Sequence, residues 1–184
     1  MAKAKNKASK RQDSTAQPPA SKSAKFYTGG MGEHLVMAEL LARGFNVARA
    51  VVDEGIDVIA FKPDKPQNLF RLQVKTSLPG SGGTLTTKKF TFSLQRAAYE
   101  REGGQDYYLL LVLRDPVKQE FVSAVIPKPI LDDYIHDGDV FNWSDAKQSY
   151  QIGVHLHDNG TLTLKNKSGT DVTNQTKNRW DRIG

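Results

Sequence analysis

Four polar residues stand where packing alone would not put them: Glu33, Asp57, Gln73 and Lys75. Glu33 belongs to an apolar stripe with Val36, Met37, Leu40 and Leu41, spaced i, i+3, i+4, i+7 and i+8 as on one face of a helix. Asp57 interrupts Gly55-Ile56-Asp57-Val58-Ile59-Ala60-Phe61, a strongly strand-forming run in which Asp is disfavoured. Gln73 and Lys75 interrupt Leu72-Gln73-Val74-Lys75 and, two apart on a strand, project from one face. A buried charge persists where it is paired or bound to a metal. The two carboxylates, the Gln73 amide oxygen and the main-chain carbonyl of Val74 form an all-oxygen donor set, the kind that a hard cation such as Mg2+ prefers. Lys75 beside them could orient or activate a water, or stabilise charge on a phosphate. The alternative is an inert, half-buried salt-bridge cluster of Lys75 with Asp57 and Glu33.

The surrounding pattern supplies elements that can bring these residues together. A helix is expected from Gly29 to Gly44, closed by Gly44, followed by strands at 45–52, 56–61 and 69–76. Glu54-Gly55 reads as a turn, 62–68 as a hairpin loop with two prolines, and 78–84 as a mobile Gly/Ser segment. Asp57 and Gln73 then face each other across a ladder, and the helix carries Glu33 towards them as it packs its stripe on the sheet. Further on, a short strand at 90–92 leads to a helix capped by Ser93 and running to about Glu102. The nearly all-apolar run 107–113 suits a strand covered on both faces. A strand at 121–126, a short helix at 129–135, and strands at 150–156 and 161–164 around the turn Asp158-Asn159-Gly160 complete the pattern.

Composition narrows the function classes. The chain has 184 residues and no cysteine, which excludes disulfides, Cys-ligated zinc, iron–sulfur clusters and thiol catalysis. No apolar run approaches the roughly 20 residues needed to cross a bilayer, and the basic start has no apolar segment behind it, so a cytoplasmic protein without a membrane partner is expected. Of 26 basic and 20 acidic residues, seven and one fall in residues 1–25, leaving nineteen of each in 26–184. The net charge of +6 is therefore the tail's. With no large apolar residue after Met1, residues 1–25 read as a disordered basic tail, either a non-specific polycation for nucleic acid or a solubilising segment. Residues 26–184 read as one domain.

At Gly32-Glu33, Gly55-Ile56-Asp57 and Gln73-Val74-Lys75-Thr76 the sequence resembles the PD-(D/E)XK nuclease superfamily, in a Gln-x-Lys variant. That family carries Glu on a helix, Asp on the second strand and acid-x-Lys on the third. Here Ile56 stands for the Pro before Asp, and Gln73 for the third-strand acid, removing one negative charge. The resemblance covers about residues 30–113. It implies a restriction-endonuclease-like α/β fold, an αβββαβ core with a mixed central sheet and, in this chain, a C-terminal β-hairpin extension. It also implies Mg2+-dependent hydrolysis of DNA phosphodiesters, with Mn2+ able to substitute. Glu33, Asp57, Gln73 and Lys75 would be catalytic, with Asp57, Gln73, the Val74 carbonyl and Glu33 on the metal. Many members dimerise, so a homodimer is possible here. The alternative function is a non-catalytic nucleic-acid-binding or assembly module on the same fold.

Other groups carry weaker signals. Lys88, Lys89 and Arg96 follow the candidate site and could contact phosphates, or form a solvated face. His155 and His157 share a strand face two apart, and His136, Asp137 and Asp139 surround Gly138 without the spacing of a calcium loop. Tyr99, Tyr107 and Tyr108 read as core.

Overall fold

The structure, a computed structural model, describes residues 22–51, 55–79, 84, 86–101, 104–115, 117–136, 141–165 and 170–184. The chain opens with α1 (Lys22–Ala42), then β1 (Asn46–Arg49), β2 (Val58–Lys62) and β3 (Lys65–Ser77). Next come β4 (Thr87–Gln95), α2 (Arg96–Arg101), β5 (Tyr107–Arg114), β6 (Phe121–Pro127) and α3 (Lys128–His136). The last elements are β7 (Asn142–Ser144), β8 (Ser149–His157), β9 (Leu162–Leu164) and a single turn, α4 (Thr173–Thr176).

The central sheet has the order β1-β2-β3-β5-β6. β3 and β5 run parallel and the other neighbours antiparallel, so the sheet is mixed, as expected. α1 packs on one face. Val36 and Leu40 meet Val58, Ala60, Leu72, Val74, Leu110 and Val112 in a buried cluster. The other face, with Tyr107, Leu109, Leu111 and Leu113, meets Phe90, Phe92, Leu94, Ile152, Val154 and Leu156. β5 is therefore apolar at nearly every position because both its faces are covered.

The covering layer is a second sheet, β4-β8-β7 with β9 on β8, and it revises three sequence expectations. β4 spans nine residues instead of three, paired in register with β8 from Thr87–His157 to Gln95–Ser149. Its alternation, with Lys88, Phe90, Phe92 and Leu94 inward, is obscured in the sequence because the first inward residue is a lysine. Ser93 does not cap a helix; it lies in β4, donates to the Ser149 hydroxyl at 3.0 Å, and the helix starts three residues later. The hairpin of β8 and β9 does form, with Gly160 at φ +85° in its turn, but as part of this sheet. The loop expected at 62–68 is mostly strand, because β3 begins at Lys65.

α1 begins at Lys22, seven residues before the expected start, and ends as expected. Gly44 adopts φ +81°, its N–H reaches the Leu41 carbonyl, and the Phe45 N–H reaches that of Leu40. The polar C-terminal stretch is tied down: Trp180 and Ile183 enter the core under α1, while Asn178 exchanges hydrogen bonds with the backbone of Ser123 and so covers part of the edge of β6. The turn expected at Glu54, the segment 80–83, Asp137, Asp139 and residues 1–21 of the tail lie outside the described residues. No helix among the described residues is long and apolar enough to cross a membrane.

Candidate active site

The site forms where β2 leaves β3. The ladder pairs Val58 with Leu72, and one step beyond it the Asp57 N–H still donates to the Leu72 carbonyl at 2.9 Å. There the backbone pairing gives way to a side chain: Asp57 Oδ2 accepts the Val74 N–H at 2.7 Å. Asp57 therefore sits at the end of the ladder, just before β2 and not within it. In a strand a residue's N–H and C=O share one edge, so the Val74 carbonyl lies on the same side of β3 as Asp57. Gln73, opposite Asp57 in the continued register, has its side chain on the face away from α1.

Glu33 approaches from the other face, on α1. The helix can come this close because residue 32 is glycine: a β-carbon there would overlap Thr76 Oγ1 and lie 2.9 Å from the Thr76 β-carbon. Glu33 and Asp57 both line an open cleft of about 640 Å3, whose lining also includes Tyr27, His34, Arg49 and Val51. Glu33 accepts an ion pair from Arg49 on β1, with Nε to Oε2 at 2.8 Å. Arg49 stands opposite Val58 on the α1 side of the sheet, which aims it at the helix.

The other two predicted residues lie away from the cleft lining. Gln73 is 2% exposed, and its Oε1 accepts the Tyr107 hydroxyl at 2.7 Å. An amide oxygen has a second lone pair, so this bond leaves acceptor capacity. Lys75 is half-buried, and no ion pair joins it to Asp57, Glu33 or any other carboxylate among the described residues. The inert cluster of Lys75 with both carboxylates is thus not what the chain builds. Among the described residues, no group of three or more His, Cys, Asp or Glu side chains gathers where it could hold a metal ion. Any cation here would be held by two carboxylates and neutral oxygens. That donor set fits a hard divalent ion at reduced charge.

Sequence reasoning missed Arg49, the Tyr107 hydroxyl and the close crossing at Gly32. Of these, only Gly32 left a signal, as a glycine inside an otherwise helical stretch. Tyr107 is core as expected, at 0% exposure, with a polar role added by its hydroxyl.

The three basic residues divide. Lys88 is buried, 2.5 Å from Asp158 Oδ1 and 3.7 Å from Asp115 Oδ1. The hydrogen bond to Asp158 raises its pKa against the opposing cost of burial. Asp115 is pushed up by burial, but the N–H groups of Val117 and Lys118 and the Lys88 charge more than offset this, leaving its pKa below the usual value. Lys88 therefore serves the fold and not a phosphate. Lys89 points to the opposite face of β4, and Arg96 is exposed, paired with Glu100 and stacked on Trp143 at 5.7 Å. Lys88→Met is expected to lower the melting temperature, because it leaves the buried Asp115 carboxylate without its cation, whereas Lys89→Ala should leave it unchanged. Thermal melts check both. The histidine pair is divided: both ring nitrogens of His157 engage threonines, Thr87 at 3.2 Å and Thr163 at 3.0 Å, while His155 Nε2 is buried without a hydrogen-bond partner among the described residues.

No family model and no curated protein matches the chain. Solved structures do. A bacterial homing endonuclease superposes with a TM-score of 0.50 over 90% of this chain and 92% of its own, at 14% identity. The fold is restriction-endonuclease-like. Hjc, a Holliday junction resolvase of the archaeal hyperthermophile Archaeoglobus fulgidus, matches 79% of this chain and 93% of its own, at 12% identity and a TM-score of 0.39.

Proposed function

We propose that this chain is a divalent-cation-dependent nuclease that hydrolyses phosphodiester bonds of DNA, in the Gln-x-Lys variant of the PD-(D/E)XK arrangement. The observation that carries this reading is the arrival of Glu33 and Asp57, from separate layers, in one cleft at the end of the β2–β3 ladder. The fold shared with a homing endonuclease is consistent with it. Asp57, Gln73, the Val74 carbonyl and Glu33 would hold Mg2+, or Mn2+ in its place. The bound cation would supply positive charge to the phosphoryl oxygens and lower the pKa of water.

The chain's own groups do the rest. Lys75, whose ammonium no carboxylate holds, orients the attacking water. The water oxygen bonds to phosphorus, the bond to the 3′ oxygen breaks with its electron pair, and that oxygen takes up a proton. Lys89, Arg96 and the basic residues before α1 add phosphate contacts that are not sequence-specific. A single copy would nick, whereas a homodimer could cut both strands.

One observation favours a second reading. Gln73 is buried with its amide oxygen on Tyr107, as suits a structural residue in a nucleic-acid-binding module that has lost catalysis. An activity screen over duplex, branched and single-stranded DNA with Mg2+ and Mn2+ separates the two. Cleavage that needs the cation and is lost in Lys75→Ala supports the nuclease; binding without cleavage in every form supports the module.

A further inference from the structure

Among the described residues the charged lining of the cleft is Glu33, Asp57 and Arg49, and the Glu33 carboxylate is paired with the Arg49 guanidinium. Gln73 contributes no charge. A divalent ion meeting this cleft alone finds a weak site, since affinity follows ligand charge. Arg49 meets Glu33 through Nε, 2.8 Å from Oε2; its side chain is 51% exposed, and its two terminal guanidinium nitrogens make no hydrogen bond among the described residues. Glu33 is more enclosed, at 17%. The more exposed member of the pair is therefore the cation, and Arg49 lines the cleft. Guanidinium groups bind phosphate oxygens in a bidentate geometry through their planar fork of N–H donors.

We infer that Arg49 is a phosphate-binding residue that neutralises Glu33 until nucleic acid arrives and then releases that carboxylate to the divalent cation. The inference rests on the nuclease reading above and adds to it a coupling between substrate and cation. Phosphate drawing Arg49 away strengthens cation binding, and by reciprocity the cation strengthens phosphate binding. Such an arrangement would leave the cleft poorly loaded with metal in the absence of substrate.

The test uses the full chain and two variants. Mn2+ affinity is measured by calorimetry without DNA, and DNA affinity by anisotropy in EDTA. Arg49→Gln should bind Mn2+ about tenfold more tightly than wild type, because Glu33 is no longer neutralised. The same variant should bind DNA more weakly, with its salt slope smaller by about one. Arg49→Lys keeps the charge and should stay near wild type in Mn2+ affinity. Unchanged or weaker Mn2+ binding in Arg49→Gln, or undiminished DNA binding, overturns the inference. If wild type cleaves DNA while Arg49→Gln behaves like it in both titrations, only this inference falls. If wild type binds neither Mn2+ nor DNA, the nuclease reading falls with it.

Discussion

Asp57→Asn is expected to cut cation-supported DNA cleavage by about a hundredfold or more, the scale on which one electrostatic contributor to a transition state is worth. The fold should survive. Asparagine is nearly isosteric and its amide oxygen can still accept the Val74 N–H, so the stability loss should be about 1 kcal/mol. What disappears is the negative charge at the β2–β3 junction, which in the proposed function holds the cation. The opposite change, Gln73→Glu, restores the charge that the Gln-x-Lys form lacks and should tighten Mn2+ binding, with the Tyr107 hydroxyl still donating to the new carboxylate. Single-turnover cleavage and calorimetric Mn2+ titration of both variants check the pair. Equal Mn2+ affinity in wild type and both variants would remove Asp57 and Gln73 from the metal set.

Gly32→Ala should destabilise the chain by about 2–3 kcal/mol, the usual scale of overpacking in a filled core. For a chain of this size that lowers the melting temperature by roughly 5–10 °C. A rotation of Thr76 could move its hydroxyl aside but not its β-carbon, which would lie 2.9 Å from the added methyl, so α1 must shift off β3 and carry Glu33 with it. The same substitution elsewhere on the helix should have the opposite sign. No atom of the described residues lies within 4 Å of a β-carbon at Gly29 or Gly30, so Ala at either is expected to stabilise by about 0.5–1 kcal/mol through helix propensity alone. Thr76→Ala in the Gly32→Ala background should recover part of the loss. Thermal melts of the four variants test the sign reversal, and equal effects at all three glycines would mean that the close crossing is not a constraint.

The parts of the site that the sequence exposed are those where a polar residue violates a local pattern. Asp57 breaks a β-branched run, Glu33 breaks a helical stripe, and Gln73 and Lys75 break a strand, so each could be singled out from its neighbours. The restriction-endonuclease-like core was expected from the family resemblance that those residues carry. The second sheet was not. β4 hides behind Lys88, whose burial depends on Asp158, brought near by the pairing of β4 with β8, and on Asp115, which follows β5 of the other sheet. Arg49 was equally invisible, because an exposed arginine ending a short strand violates no pattern, and its meeting with Glu33 requires the docking of α1 on β1. The Tyr107 hydroxyl reaches Gln73 only through the parallel register of β3 and β5, set by the crossover between them. Local chemistry was legible; partners chosen by tertiary register were not.

Locating the ion decides whether the Glu33–Asp57 cleft is a cation-dependent hydrolytic site. Crystals grown with Mn2+ and a DNA duplex should give an anomalous difference peak within bonding distance, about 2.0–2.2 Å, of an Asp57 oxygen, with Glu33 beside it. That peak should vanish in Asp57→Asn. A well-ordered cleft with DNA bound and no anomalous peak at Asp57, or a peak that persists in Asp57→Asn, would contradict the account and leave the chain a nucleic-acid-binding module.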